Sequence, residues 1–281
     1  MDFLDFARSY GILIHDYPPV GVWKRYPTED HPRTRNGAVK YLGTHGFVQN
    51  HAVDTVVSIW QADKESVIDR SAIRASVAKA DDERRKKQFE SARRAVQMLN
   101  ASGFGSHEYL RAKGFPDEQG NVWHNEGKPY LLIPMRVAGS LVGCQVIDGD
   151  GGKKFLYGQR TSGASFVFDN KGMNIVCEGY ATALSIRLAL KQMKQRYTLH
   201  VCFSAGNMAK VAEGLVEGLV IADNDLSSTG QDVAKKIGWK TWMSEEVGDA
   251  NDFHQKHGLF KLTQSLTRSM LGVSQSGGSK A

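Results

Sequence analysis

The chain has 281 residues, 41% of them hydrophobic, and a formal net charge of +6, which suits a polyanion partner. That length asks for two or three folding units, and no apolar run approaches the roughly eighteen residues of a membrane span. The acidic start, Met1-Asp2-Phe3-Leu4-Asp5, lacks the basic flank of a signal peptide, and Cys144, Cys177 and Cys202, far apart and in or beside apolar runs, read as reduced core thiols of a cytoplasmic protein.

Residues 1–64 form a first unit. Asp2 to Gly11 predicts a short helix, with Phe3, Phe6 and Tyr10 at helical spacing, and Pro18-Pro19 breaks the chain. Four β-like runs follow, at 22–26, 38–42, 46–50 and 55–60, with Asn36-Gly37 among the turns. They predict a small antiparallel sheet. His31, His45 and His51 lack the paired spacing of a zinc site, and no cysteine accompanies them. Lys24, Arg25, Arg33, Arg35 and Lys40, interleaved with Trp23, Tyr26 and Tyr41, make either a single-strand-binding face or a solvated basic one. Residues 65–100 predict one long helix or two. Their charges are mixed, and apolar positions are sparse before Ala92, Val96 and Leu99, as in a solvated connector or a nucleic-acid contact.

Residues 101–172 predict a mixed α/β segment. Ser106 caps a helix to Lys113; strands occupy 129–135 and 141–148, and another begins at Lys153 after the turn at 148–152. Side chains alternate along a strand, so Lys153 and Lys154 point to opposite faces. Gly151-Gly152-Lys153 is no P-loop, since the first glycine of that motif falls on Ile147.

Residues 173–257 carry the densest pattern. An apolar run at 174–177 ends on Glu178-Gly179-Tyr180, and a helical segment follows from Ala181 to Lys194. A second run, Thr198 to Phe203, leads into Ser204-Ala205-Gly206-Asn207, and a third, 218–222, stops on Asp223-Asn224-Asp225. Apolar runs alternating with helices predict a parallel sheet, whose reactive crevice lies past the carboxyl ends of its strands. Each acid alone fits a helix cap or a turn. Three converging carboxylates repel one another unless a cation sits among them, and an all-oxygen set suits Mg²⁺. Ser228 or Thr229 caps a helix at 231–237 whose first amides suit an anion, with Lys235 and Lys236 along it. His254 and His257 stand at helical spacing on a solvated surface. The remainder, 258–281, reads as a C-terminal tail, Ser/Gly-rich and disordered from Ser274.

Glu178 with Asp223-Asn224-Asp225 resembles the acidic signature of the Toprim domain, which bacterial-type primases share with topoisomerases and some nucleases. Gly248-Asp249-Ala250-Asn251-Asp252-Phe253 resembles a further acidic motif of the primase branch. Cys177-Glu178-Gly179-Tyr180-Ala181-Thr182-Ala183, Ser204-Ala205-Gly206-Asn207 and Ala222-Asp223-Asn224-Asp225 are similar to stretches of the primases of phages and mobile elements. Upstream, Leu132-Ile133-Pro134-Met135, Gly139-Ser140-Leu141-Val142-Gly143-Cys144 and Lys154-Phe155-Leu156 resemble, in order, the elements of the basic subdomain that precedes the Toprim domain in primases. The likeness is specific over 101–257. It departs in two places: the arginine that closes the second element aligns with Ile147, and the zinc-ribbon cysteines that precede many primase cores are absent.

The resemblance implies an α/β fold: a Toprim-like parallel sheet with flanking helices at 173–257, a basic α/β subdomain at 101–172, a basic helical connector at 65–100 and a small zinc-free antiparallel β unit at 1–64. It implies a DNA primase that makes short primers from nucleoside triphosphates on a single-stranded DNA template in the cytoplasm of a bacterial host, with a replicative helicase as partner and no membrane. Glu178, Asp223 and Asp225 would be catalytic, and with Asp249 and Asp252 would hold Mg²⁺ or Mn²⁺. Lys154, Lys153, Arg136, Arg160 and Lys235 would contact nucleotide or DNA, Lys154 being the best match for the cleft. A Toprim nuclease using the same acids and a non-catalytic nucleic-acid-binding replication module are the rival readings.

Overall fold

The computed structural model describes residues 1–51, 53, 57–62, 70–224 and 229–271, of 70–74 and 76 the backbone only. The chain divides into two compact units, Met1–Lys87 and Gln88–Ala281.

The first unit opens with α1 (Phe3–Ser9), capped by the Asp2 carboxylate, which accepts from Asp5 N. Strands β1 (Trp23–Tyr26), β2 (Gly37–Tyr41), β3 (His45–Asn50) and β4 (Ser58–Gln61) make an antiparallel sheet in sequence order. The run expected from residue 55 is seen as a strand from Ser58; 54–56 lie outside the described residues. The core joins Phe3, Ile12 and Ile14 to Val39, Val48 and Trp60. Phe3 lies 5.0 Å from the Tyr41 ring and 5.6 Å from Trp60. A Cβ at Gly46 would strike its ring at 2.1 Å, so glycine is what lets α1 seat on the sheet. An aromatic plug from the first helix thus fills the centre of this small sheet.

The helix α2 (Arg70–Asn100) is a single element of 31 residues, and the division between the units falls inside it. In the second unit it is followed by β5 (Gly103–Gly105), α3 (Glu108–Ala112), β6 (Gly120–Asn125), β7 (Lys128–Val137), β8 (Ser140–Ile147) and β9 (Lys153–Phe155). These strands form an antiparallel sheet in sequence order. One face, with Leu131, Ile133, Met135 and Ile147, enters the main core. The other, with Leu132 and Cys144, lies under Ala95 and Met98 of α2. Burial on both faces is why β7 reads as a nearly continuous apolar run. The α3 cap is His107, whose Nδ1 accepts from Tyr109 N, and not the expected Ser106.

The second sheet is built from β10 (Phe166–Asp169), β11 (Met173–Cys177), α4 (Tyr180–Gln192), β12 (Tyr197–Val201), α5 (Ala205–Ala212), β13 (Gly218–Ala222), α6 (Thr229–Ile237), β14 (Lys240–Met243) and α7 (Ala250–Leu271). Its order is β10-β12-β11-β13-β14, parallel except for the edge strand β10. Helices α4 and α7 contribute Leu184, Leu190, Leu262 and Leu266 to the main core with Ile175, Leu199 and Ile221. Helices α5 and α6 cover the opposite face through Met208 and Ala234, against Val176 and Val220. This is the α/β architecture that the alternating runs predict.

The stretch 258–271, read from sequence as tail, is instead helical. Gly258 takes φ 80° and interrupts α7, and the helix resumes beyond it to bury Leu262 and Leu266 completely. Each such leucine contributes roughly 1.5–3 kcal/mol of apolar burial. The Ser/Gly-rich residues from 274 lie outside the described residues.

Candidate active site

Strands β11 and β13 are direct neighbours, with Cys177 opposite Ile221. Glu178 and Asp223 therefore leave the sheet at adjacent strand ends, where neighbouring chains run about 4.8 Å apart. The β12 side holds Glu178 in place: Phe203 N donates to Glu178 O and Cys202 N to Cys177 O, each at 2.8 Å. Phe203 then adopts φ 68°, a left-handed conformation costing a bulky residue about 1–3 kcal/mol. That turn delivers the chain to Ser204, whose hydroxyl caps α5 by accepting from Asn207 N.

Asp223 is fixed from the other side by α6. A Cβ at Gly230 would lie 2.6 Å from Asp223 O, so only glycine lets the first turn of α6 press on this backbone. Asn224 and Gly248 exchange both backbone hydrogen bonds, at 3.1 and 2.8 Å, and Asn224 Nδ2 donates to Ser244 O. These bonds draw Asp249 to the same edge. Burial first, then Cys202, then the charges of Asp223, Asp249 and Glu178 push the Cys177 thiol far up.

Asp249 and Asp252 also do a structural task. Asp249 Oδ1 accepts from Asn251 N at 2.7 Å and from Asp252 N at 2.9 Å, while Asp252 Oδ2 accepts from Asp249 N at 3.1 Å. This reciprocal cap starts α7. Asp252 is exposed and its carboxylate faces the cap. Asp225 lies outside the described residues. Among the described residues no group of three or more His, Cys, Asp or Glu is placed to hold a metal ion.

The expected cations divide. The register of β9 on β8 sets Lys153 opposite Ile147 and Lys154 opposite Val146. Ile147 belongs to the main core and Val146 to the face under α2. Lys153 Nζ accordingly stands 5.8 Å from the centre of the Tyr109 ring. Burial, then the Asp249 charge, raises the Tyr109 phenol to about 12, so it stays protonated. Phe155, of the same parity as Lys153, meets Phe203 edge-on at 6.2 Å. Lys153 is therefore the lysine on the side of the acids. Lys154, the better motif match, turns into a groove beside α2. The reason is the pleat: adjacent residues cannot share a face.

Arg136 follows a bulge at Met135/Arg136, and its Nη1 donates to Gly139 O within its own hairpin. Arg160 Nε donates to Ser162 O, and Lys235 pairs with Asp232 at 3.7 Å on the solvent side of α6. The position of the missing family arginine, Ile147, is completely buried and has no room for a guanidinium. The loop 156–165 that carries Arg160 is anchored by Asn207. Its Oδ1 accepts from Gly163 N at 2.7 Å, and its Nδ2 donates to Ala164 O at 2.8 Å and to Cys202 O at 2.7 Å. The motif Ser204–Asn207 had no assigned role in the sequence; it is the joint between this loop and the end of β12. Tyr109 carries no motif at all and is found only through the fold.

No known protein family model matches the chain, and no curated protein matches it. Among solved structures, a chain is similar in an assembly of bacteriophage T7 lagging-strand DNA polymerase with primase domains of two gp4 subunits bound to an RNA/DNA hybrid and dTTP. The two chains are 19% identical with a TM-score of 0.42, over 60% of this chain and 89% of that one.

Proposed function

We propose that the chain is a DNA primase, joining nucleoside triphosphates into short primers on a single-stranded DNA template. The observation that carries this is the pairing of β11 with β13, which brings Glu178 and Asp223 out at adjacent strand ends, with Gly248 bridged to Asn224 just beyond, at the edge where a parallel sheet places its chemistry. Carboxylate oxygens are the donors that a hard cation takes. Glu178, Asp223 and Asp225, with Asp249, would hold Mg²⁺ or Mn²⁺, which when bound neutralises phosphate charge and activates an attacking hydroxyl.

The chain's own residues supply the rest. Lys153 offers a charge on the same side, suited to a triphosphate and to the pyrophosphate that leaves. Tyr109, protonated at neutral pH, supports that ammonium with its ring. Phe203 and Asn207 keep Glu178 and the Arg160 loop in fixed relation. The experiment is primer synthesis on single-stranded DNA with labelled nucleotides and Mg²⁺ or Mn²⁺. Products longer than one nucleotide support the reading. Shortened template on the same gel would favour a nuclease, and neither product would leave a binding module.

A further inference from the structure

On the face of the antiparallel sheet turned away from the acids, a groove of about 470 Å³ runs between α2 and strands β6 to β9. The cross-strand pair Trp123 and Tyr130, ring centroids 5.9 Å apart, forms its floor. Arg94 from α2 and Lys154 from β9 line it, and both are exposed. Tyr157, 84% exposed, closes one end, where Ser91 Oγ donates to Tyr157 O and ties the rim to α2. Glu90 is the one acidic residue of the lining.

We infer that this groove is a seat for single-stranded DNA, carrying template nucleotides across the outer face of the sheet. The inference rests on the primase reading for the identity of the strand. Aromatic rings interleaved with cations are what a single strand needs: each base has a π-face to stack, and each phosphate seeks a cation. A volume of a few hundred cubic ångströms suits one or two stacked bases. A globular protein partner would find a concave, aromatic-floored slot with two flexible cations rather than a flat patch. The position also explains why the lysine that best matches the primase pattern points away from the acids: it grips template, and Lys153 is left for the nucleotide.

The test is fluorescence anisotropy of a labelled oligothymidylate of about twelve nucleotides, a length typical of single-strand-binding folds and enough to run past the groove at both ends, without metal or nucleotide. The full chain is compared with Lys154→Ala, Arg94→Ala, Tyr157→Ala and, as a control, Lys261→Ala on the exposed side of α7. Each groove variant should weaken binding about ten-fold, since a charge-assisted or stacking contact is lost. Lys154→Ala and Arg94→Ala should each flatten the salt dependence by about 0.7, one phosphate's share on a single strand. Tyr157→Ala should leave the slope alone. Unchanged affinity in all three variants overturns the inference, as does a parent that binds no oligonucleotide. Loss of binding in the variants alongside a parent that makes no primer would uphold the groove and overturn the catalytic reading. Normal binding in variants of a working primase would do the reverse.

Discussion

Asn207 offers a perturbation whose size follows from geometry. Its amide makes three hydrogen bonds at 2.7–2.8 Å, to Gly163 N, Ala164 O and Cys202 O. Removal by Asn207→Ala costs about 1 kcal/mol per bond, so about 3 kcal/mol in all. For a unit of this size each kcal/mol shifts the melting temperature by about 2–4 °C, giving a fall of about 6–12 °C. Asn207→Asp sharpens the test. It keeps the acceptor for Gly163 N but sets a carboxylate against two carbonyls, so it must cost more than alanine. Urea denaturation gives the free energies, and limited proteolysis reports whether 156–165 has become the first segment cut. If both variants stay within about 0.5 kcal/mol of the parent, or if aspartate is milder than alanine, the amide is not the joint described above.

Lys153→Ala should raise the nucleotide KM and lower primer synthesis about ten- to a hundred-fold, because one charge-assisted contact is worth roughly 1.5–3 kcal/mol; steady-state kinetics at varied triphosphate checks it. His200 and His254 are both held below the usual imidazole range by burial, with the Asp169 charge partly opposing this at His200. The unfolded chain therefore takes up protons before the folded one does. Stability should be full above about pH 6.5 and fall as pH drops below it, and His200→Leu should remove part of that slope in melts across pH 5–8. Purified protein should contain no stoichiometric zinc by elemental analysis, and a chelator should leave the circular dichroism of the folded chain unchanged.

The strand-end acids were legible because each follows an apolar run that stops abruptly, and a buried parallel strand leaves that trace wherever it occurs. Helix α7 was not legible as a whole. Gly258 and the Ser/Thr content beyond it resemble a loosening chain, and only the α4 surface shows that Leu262 and Leu266 have somewhere to go. Short strands such as β5, β6 and β14 have little apolar pattern of their own; partners already in place define them. The alternation of Lys153 and Lys154 was readable, but which face each takes depends on pairing with Val146 and Ile147, a register no local pattern specifies. Asp249-x-x-Asp252 illustrates a different limit. An acidic motif and a helix cap are written in the same letters, and the hydrogen bonds show that here the cap at least is real.

The central claim is that the carboxylates at the ends of β11 and β13 act together on phosphate chemistry. Asp223→Asn and Asp225→Asn test it most directly, assayed side by side for primer synthesis, oligonucleotide binding and thermal melting. The account predicts that each abolishes synthesis while binding is retained and the melting temperature is unchanged or raised, since neutralising one of several crowded carboxylates relieves repulsion. Full synthesis by either variant would contradict it.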